Sequence, residues 1–257
     1  MKLKKVITDY YSSYDYRNLR PETQKQYQYF IGVMENTQVE GQPLCQYNVD
    51  KITTRIAKVA YNEWCEQGLH MANHVISATR IIFNHGVRME LCLLNPFANV
   101  RKRATERRKT VWSRVQVQNL LDVAYGDFST RNLGLIAHMA YEWCQRLGDM
   151  RLLTCDNIDF STKTVYIEQS KRRAEVHLPI SDDLCDMLTQ QEQDFGFQKY
   201  VAPRPNPIRG EYKPYTLHNL PLYGRKLMQA AGLPDELRLS DLRRTGTTEM
   251  VEAGVGI

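Results

Sequence analysis

A chain of 257 residues with 42% hydrophobic residues can bury one large core or two modest ones, which excludes disorder as the default state. Its longest apolar runs, such as "VISATRIIF", are too short and too charged to span a bilayer, and the N-terminus "MKLKKVITDYYSSYDY" turns polar and acidic where a secretory signal needs an apolar stretch. Six cysteines without a CxxC or CxxH pair, and no motif-spaced group of histidines and carboxylates, argue against a zinc site, a disulfide framework or a bound metal, so an intracellular protein without cofactor is expected.

The first hundred residues read as helices. Pro21 suits a helix start, and Tyr27, Phe30, Ile31 and Met34 follow at helical spacing. "DKITTRIAKVAYNEWCEQG" places Ile52, Ile56, Val59 and Ala60 on one face and stops at Gly68. A third helix carries Val75, Ala78 and Ile82 and is expected to end at Gly86, before the Asn-Pro break of "LLNPFANV". Residues 1–98 therefore form a small helical bundle.

The net charge of the chain is +5, and the stretch 99–111 carries that excess alone: Arg101, Lys102, Arg103, Arg107, Arg108 and Lys109 stand against Glu106. A basic run at a domain boundary suits either a solvated linker or a strap that contacts phosphates.

A second domain, 112–257, opens with Ser113 and Gln116 in capping-box spacing, followed by the apolar helix "NLGLIAHMAYEWC". Alternating Val165 and Ile167, then Val176, Leu178 and Ile180, flank "SKRRA" and predict a β-hairpin with a basic tip. The Pro- and Tyr-rich text from Gly196 to Asn219 reads as loop, and helices return at "LPLYGRKLMQAAG" and "SDLRRTGTTEMVEAG". The fold class is mainly α with one small antiparallel sheet.

Three cations in this domain stand out. Arg146 follows the apolar helix in "QRLGDMRLLTCDNID", with Asp149 three residues on, a spacing that suits orientation of the guanidinium as well as a plain structural ion pair. Lys171 sits in the hairpin tip, a place for an edge guard or a proton donor. Arg243 lies in "SDLRRT".

In that order and after that linker, these residues resemble the tyrosine recombinases, the phage integrases and their relatives. The family's first arginine motif reads like "TGLRxSELLxLxWxDID", and this chain matches its arginine at Arg146, its acid at Asp149 and its closing pair at Ile158 and Asp159. The hairpin motif "QSKTGK" corresponds to "EQSKRRA" with Lys171, and "HDLRHT" corresponds to "SDLRRT" with Arg243. Ser240 stands where the family has histidine.

The resemblance implies a SAM-like helical core-binding domain, a linker and an α+β catalytic domain, acting together in site-specific DNA recombination and integration. It implies that two guanidiniums hold the non-bridging oxygens of a DNA phosphate, that Lys171 is a general acid, and that a tyrosine forms a 3′-phosphotyrosine bond. No metal or nucleotide cofactor is implied, and the chain has no "GxxxxGK[ST]" loop. Duplex DNA is the implied partner, contacted by the six basic residues of the linker, with Arg172, Arg173 and Arg80 as candidates for further contacts. A tetramer on DNA and accessory DNA-bending proteins go with the family, as does the cytoplasm or nucleoid of a phage host or a mobile element's host.

The family's nucleophile lies a few tens of residues beyond the second arginine motif, whereas the last tyrosine here is Tyr223. A chain cut before its nucleophile, binding DNA without cleaving it, is therefore expected. The alternative is a regulatory DNA-binding protein derived from a recombinase.

Overall fold

The computed structural model describes residues 1–171 and 173–255, which form two compact units, Met1–Arg107 and Arg108–Ile257. The first unit contains helices α1 (Leu3–Ser12), α2 (Tyr14–Arg17), α3 (Pro21–Asn36), α4 (Thr54–Gln67) and α5 (Leu69–Arg88), with a two-stranded hairpin of β1 (Gln38–Val39) and β2 (Gln42–Pro43). Helix α5 is its axis, packed against α1, α3 and α4 through the buried Val75, Ile76, Ile82 and Phe83. Pro21 occupies the first turn of α3, where a missing N–H costs nothing. Gly68, at φ 151°, ends α4 and begins α5 without a Cβ to clash.

Two expectations are corrected here. Gly86 does not end the third helix; α5 runs on to Arg88, and the glycine admits close neighbours, since a Cβ there would stand 2.9 Å from both Cys92 Sγ and Val6 Cγ1. Val59 is exposed, because the buried stripe of α4 runs through Ile56, Ala57, Ala60, Tyr61 and Trp64.

The second unit opens with α6 (Arg114–Tyr125), capped by the reciprocal Ser113–Gln116 box that the sequence predicts. Then come α7 (Phe128–Glu142), the single turn α8 (Leu147–Met150), and a three-stranded antiparallel sheet of β3 (Ile158–Asp159), β4 (Thr164–Glu168) and β5 (Glu175–Pro179). Val165 faces Leu178 and Ile167 faces Val176 in the β4–β5 register, so the apolar alternation predicted for the hairpin covers one face. Three helices complete the unit, α9 (Asp182–Phe195), α10 (Asn219–Ala230) and α11 (Leu242–Glu252).

Helix α7 lies at the centre of this unit. Its buried Leu133, Leu135, Ile136, Met139 and Ala140 pack against α6, α9, α10 and α11. The long irregular segment after α9 is fastened to it by buried amides: Gln191 donates to Asn132 and to the Val201 carbonyl (2.8 Å each), and Asn132 donates to the Pro203 carbonyl at 2.7 Å. These directional bonds inside the core fix the segment more sharply than apolar contact alone would. No helix among the described residues is long and apolar enough to cross a membrane.

Candidate active site

The site is built where α7 ends. Trp143 caps the helix, and the next residue, Cys144, adopts the left-handed region at φ 52°. The Cys144 N–H donates to the Tyr141 carbonyl at 3.3 Å and the Gln145 N–H to the Ala140 carbonyl at 3.1 Å. This is a Schellman closure, with cysteine where glycine is usual. It reverses the chain so that Gln145 points into the interior and Arg146 begins α8, its carbonyl accepting the N–H groups of Asp149 and Met150.

Asp149 is buried, its side chain only 4% exposed, and its Oδ2 lies 3.7 Å from Arg146 Nη1. The distance gives attraction without a hydrogen bond, and both atoms are buried without a hydrogen-bond partner among the described residues.

Arg243 sits in the first turn of α11, which packs on α7. Burial pushes the Cys144 thiol up, and the Arg243 charge works against that shift, so Arg243 lies within electrostatic reach of the turn that carries Arg146. Ser240 is exposed and borders two concavities. One is lined also by Arg243, Arg244 and Thr247, the other by Arg225, Arg238 and Leu147, the neighbour of Arg146. Ser240 thus borders both the concavity that holds Arg243 and the one that reaches Leu147, and Asp149 lies against Arg146.

Lys171 stands exposed in the hairpin tip, and Arg173, two residues on, is exposed at φ 52°. Arg172 lies outside the described residues. The root of the hairpin is nevertheless tied to the arginine turn, since Gln169 Nε2 donates to Gln145 Oε1 at 2.8 Å while Gln145 Nε2 donates to the Trp143 carbonyl at 2.9 Å. Neither glutamine carries a sequence signal that separates it from a surface amide. Replacing Gln145 by alanine is expected to lower stability by about 1 kcal/mol. A double-mutant cycle with Gln169→Ala, followed by urea unfolding, should return a coupling of roughly 0.5–1.5 kcal/mol. Additive losses would mean that the bond carries nothing.

The basic strap divides by what its members touch. The Arg103 N–H donates to Tyr61 Oη (2.7 Å), its guanidinium to Asn62 Oδ1 (3.0 Å), and its carbonyl accepts from Asn73 (2.9 Å). Lys102 donates to Ser77 Oγ, and burial together with the nearby Arg80 charge holds its ammonium below the usual lysine range. Arg80 itself is occupied by the carbonyls of Phe97 and Val100. Arg108 forms a two-pronged pair with Asp241. Arg101, Arg107 and Lys109 are exposed, and among the described residues their side chains make no hydrogen bond or ion pair.

A helical unit with a three-stranded antiparallel sheet is the fold of the tyrosine-recombinase catalytic domain. The phage integrase family model matches residues 112–257, more than half of the chain, and the protein belongs to that family. Its fold is similar to that of a lambda integrase fragment solved as a dimer bound to a COC′ core site (TM-score 0.80, 18% identity, covering 98% of this chain and 91% of that one). It is also similar to a Tn1549 transposon integrase fragment in complex with a circular intermediate DNA (TM-score 0.80, 14% identity, 100% and 88% covered). A lambda integrase tetramer bound to a Holliday junction matches at TM-score 0.78 and 19% identity, with 97% and 73% covered. At such identities the likeness establishes the fold. No curated protein sequence matches the chain.

Proposed function

We propose that this chain is a site-specific DNA recombinase of the integrase type, which binds duplex DNA and holds one phosphodiester between Arg146 and Arg243. The observation that carries this reading is Arg146, its side chain 33% exposed against the buried Asp149, in the first arginine motif of a phage integrase family member. Attack on a phosphodiester builds charge on its non-bridging oxygens. Fixed guanidiniums meet that charge without reorganising, which is worth on the order of 3 kcal/mol per donor by analogy with oxyanion holes. Asp149 orients Arg146 from beneath. Ser240 donates a neutral hydrogen bond where the family has histidine, so it supplies no positive charge. Lys171, carried on the hairpin, is the proton donor for the 5′-oxygen that leaves when a tyrosine hydroxyl forms its bond to the phosphorus.

DNA affinity comes from Arg101, Lys102, Arg103, Arg107 and Lys109, with Arg173 on the hairpin, by release of counterions from the duplex. Self-association on DNA, in the host cytoplasm, follows from the same reading.

Residues 244–257 contain no tyrosine, so these 257 residues supply the phosphate ligands and not a nucleophile downstream of Arg243. Duplexes selected by binding from a randomised pool, then nicked to trap strand cleavage, should be retained by this polypeptide yet yield no covalent adduct on a denaturing gel. An adduct would show that another tyrosine in this sequence attacks. No retained duplex would end the recombinase reading in favour of a helical scaffold with scattered charge.

A further inference from the structure

We infer that Arg108 is a positioning residue for the second arginine motif: its guanidinium grips Asp241 and thereby sets Arg243, rather than joining its neighbours on the DNA backbone. Arg108 Nε donates to Asp241 Oδ1 at 2.8 Å and Nη2 to Asp241 Oδ2 at 2.7 Å, a fork-to-carboxylate pair. Nη2 also reaches the Glu236 carbonyl. The Asp241 side chain is 5% exposed and that of Arg108 is 31% exposed, so the carboxylate depends on this cation for charge compensation.

Asp241 is a junction. Its Oδ2 also accepts the Arg238 N–H at 2.9 Å, which closes the turn bearing Ser240, and its carbonyl accepts Thr245 Oγ1 at 3.1 Å inside α11. Arg243 follows it by two residues. The same segment is clamped twice more: Arg244 donates to the Arg108 carbonyl, and the N–H of the buried Trp112 donates to Thr245 Oγ1 at 3.0 Å. Three independent bonds therefore lay residues 108–112 across the start of α11. Arg101, Arg107 and Lys109 show nothing comparable.

The inference rests on Arg243 being a phosphate ligand, and inorganic sulfate serves as the probe. The melting temperature is followed against sulfate concentration at constant ionic strength set with chloride. A site that binds the anion only when folded raises it saturably. The general stabilising action of sulfate is measured in Arg243→Ala, which lacks the site.

Arg108→Lys is the discriminating variant. Lysine keeps the charge that a phosphate contact needs but cannot present the fork that Asp241 receives. Arg108→Lys and Asp241→Asn are each expected to weaken the sulfate response about tenfold, and the double variant no further, because the two residues act as one unit. Full response in Arg108→Lys overturns the inference and returns Arg108 to the basic strap. Absence of any saturable response in the wild type, or its persistence in Arg243→Ala, overturns the phosphate reading and this inference with it.

Discussion

Replacing Arg101, Arg107 and Lys109 together by alanine is expected to cut duplex affinity by two to three orders of magnitude at about 0.1 M salt, and to flatten its salt dependence. The estimate follows from counterion release: each phosphate neutralised contributes roughly 0.9 to the slope of log K against log salt. Three lost contacts therefore remove about 2.7 from the slope and, at about 0.1 M, a similar number of decades from affinity. These three are the strap cations whose side chains are exposed and uncommitted among the described residues. Lys102 and Arg103 are held by Ser77 and Asn62, and Arg108 by Asp241. Binding to a short duplex, titrated from low to high salt, checks the result. A slope change below about 1 would mean that the strap does not lie on the phosphates. Arg80→Ala makes the contrast: its guanidinium holds the Phe97 and Val100 carbonyls, so its loss should destabilise the first unit before it alters the slope.

The division within the strap shows where sequence reasoning reaches and where it stops. Charge and position mark all six cations alike. Only the fold brings Asp241 to Arg108 across 133 residues, and no local pattern encodes such a partner. Elements governed by neighbours in sequence were legible: the Ser113 box, the Pro21 start and the β4–β5 alternation. The turn that places Arg146 was not, because its left-handed residue is Cys144 and the usual glycine signal is missing. Gly86 misled in the opposite sense, since a glycine chosen for close packing looks in sequence like a helix stop. The polar N-terminus concealed α1, whose buried Leu3, Val6, Ile7 and Tyr10 nonetheless fall at helical spacing. Tertiary contact overrides local grammar at these positions, and Arg108 and Gln145 belong to the same class.

The second large effect is expected at Gly246, and its sign is the informative part. Alanine for glycine inside a helix ordinarily stabilises by up to about 1 kcal/mol. Gly32 in α3 should behave so, because a Cβ there meets nothing within 4 Å. At Gly246 a Cβ would stand 2.0 Å from the Tyr141 carbonyl oxygen and 3.0 Å from Cys144 Sγ. The first obstacle is backbone, at the C-terminal turn of α7, and it cannot rotate away. Helix α11 must therefore retreat by roughly 1 Å to restore ordinary contact. Forced overpacking costs about 1–3 kcal/mol and here outweighs the gain in helix propensity. Gly246→Ala should thus lose about 2 kcal/mol and about 5 °C in melting temperature, while Gly32→Ala gains slightly. Trp112 and Trp143, both buried in the second unit, report its unfolding in urea. Arg243 lies one turn before Gly246 on the same helix and moves with it, away from the turn that carries Arg146. An offset of roughly 1 Å in a charge-binding pair is enough to lower its effectiveness up to about a hundredfold. Gly246→Ala should therefore lose sulfate binding even at temperatures where the unit remains folded. Unchanged stability together with unchanged sulfate affinity would mean that α11 does not depend on this close approach to hold Arg243 in place.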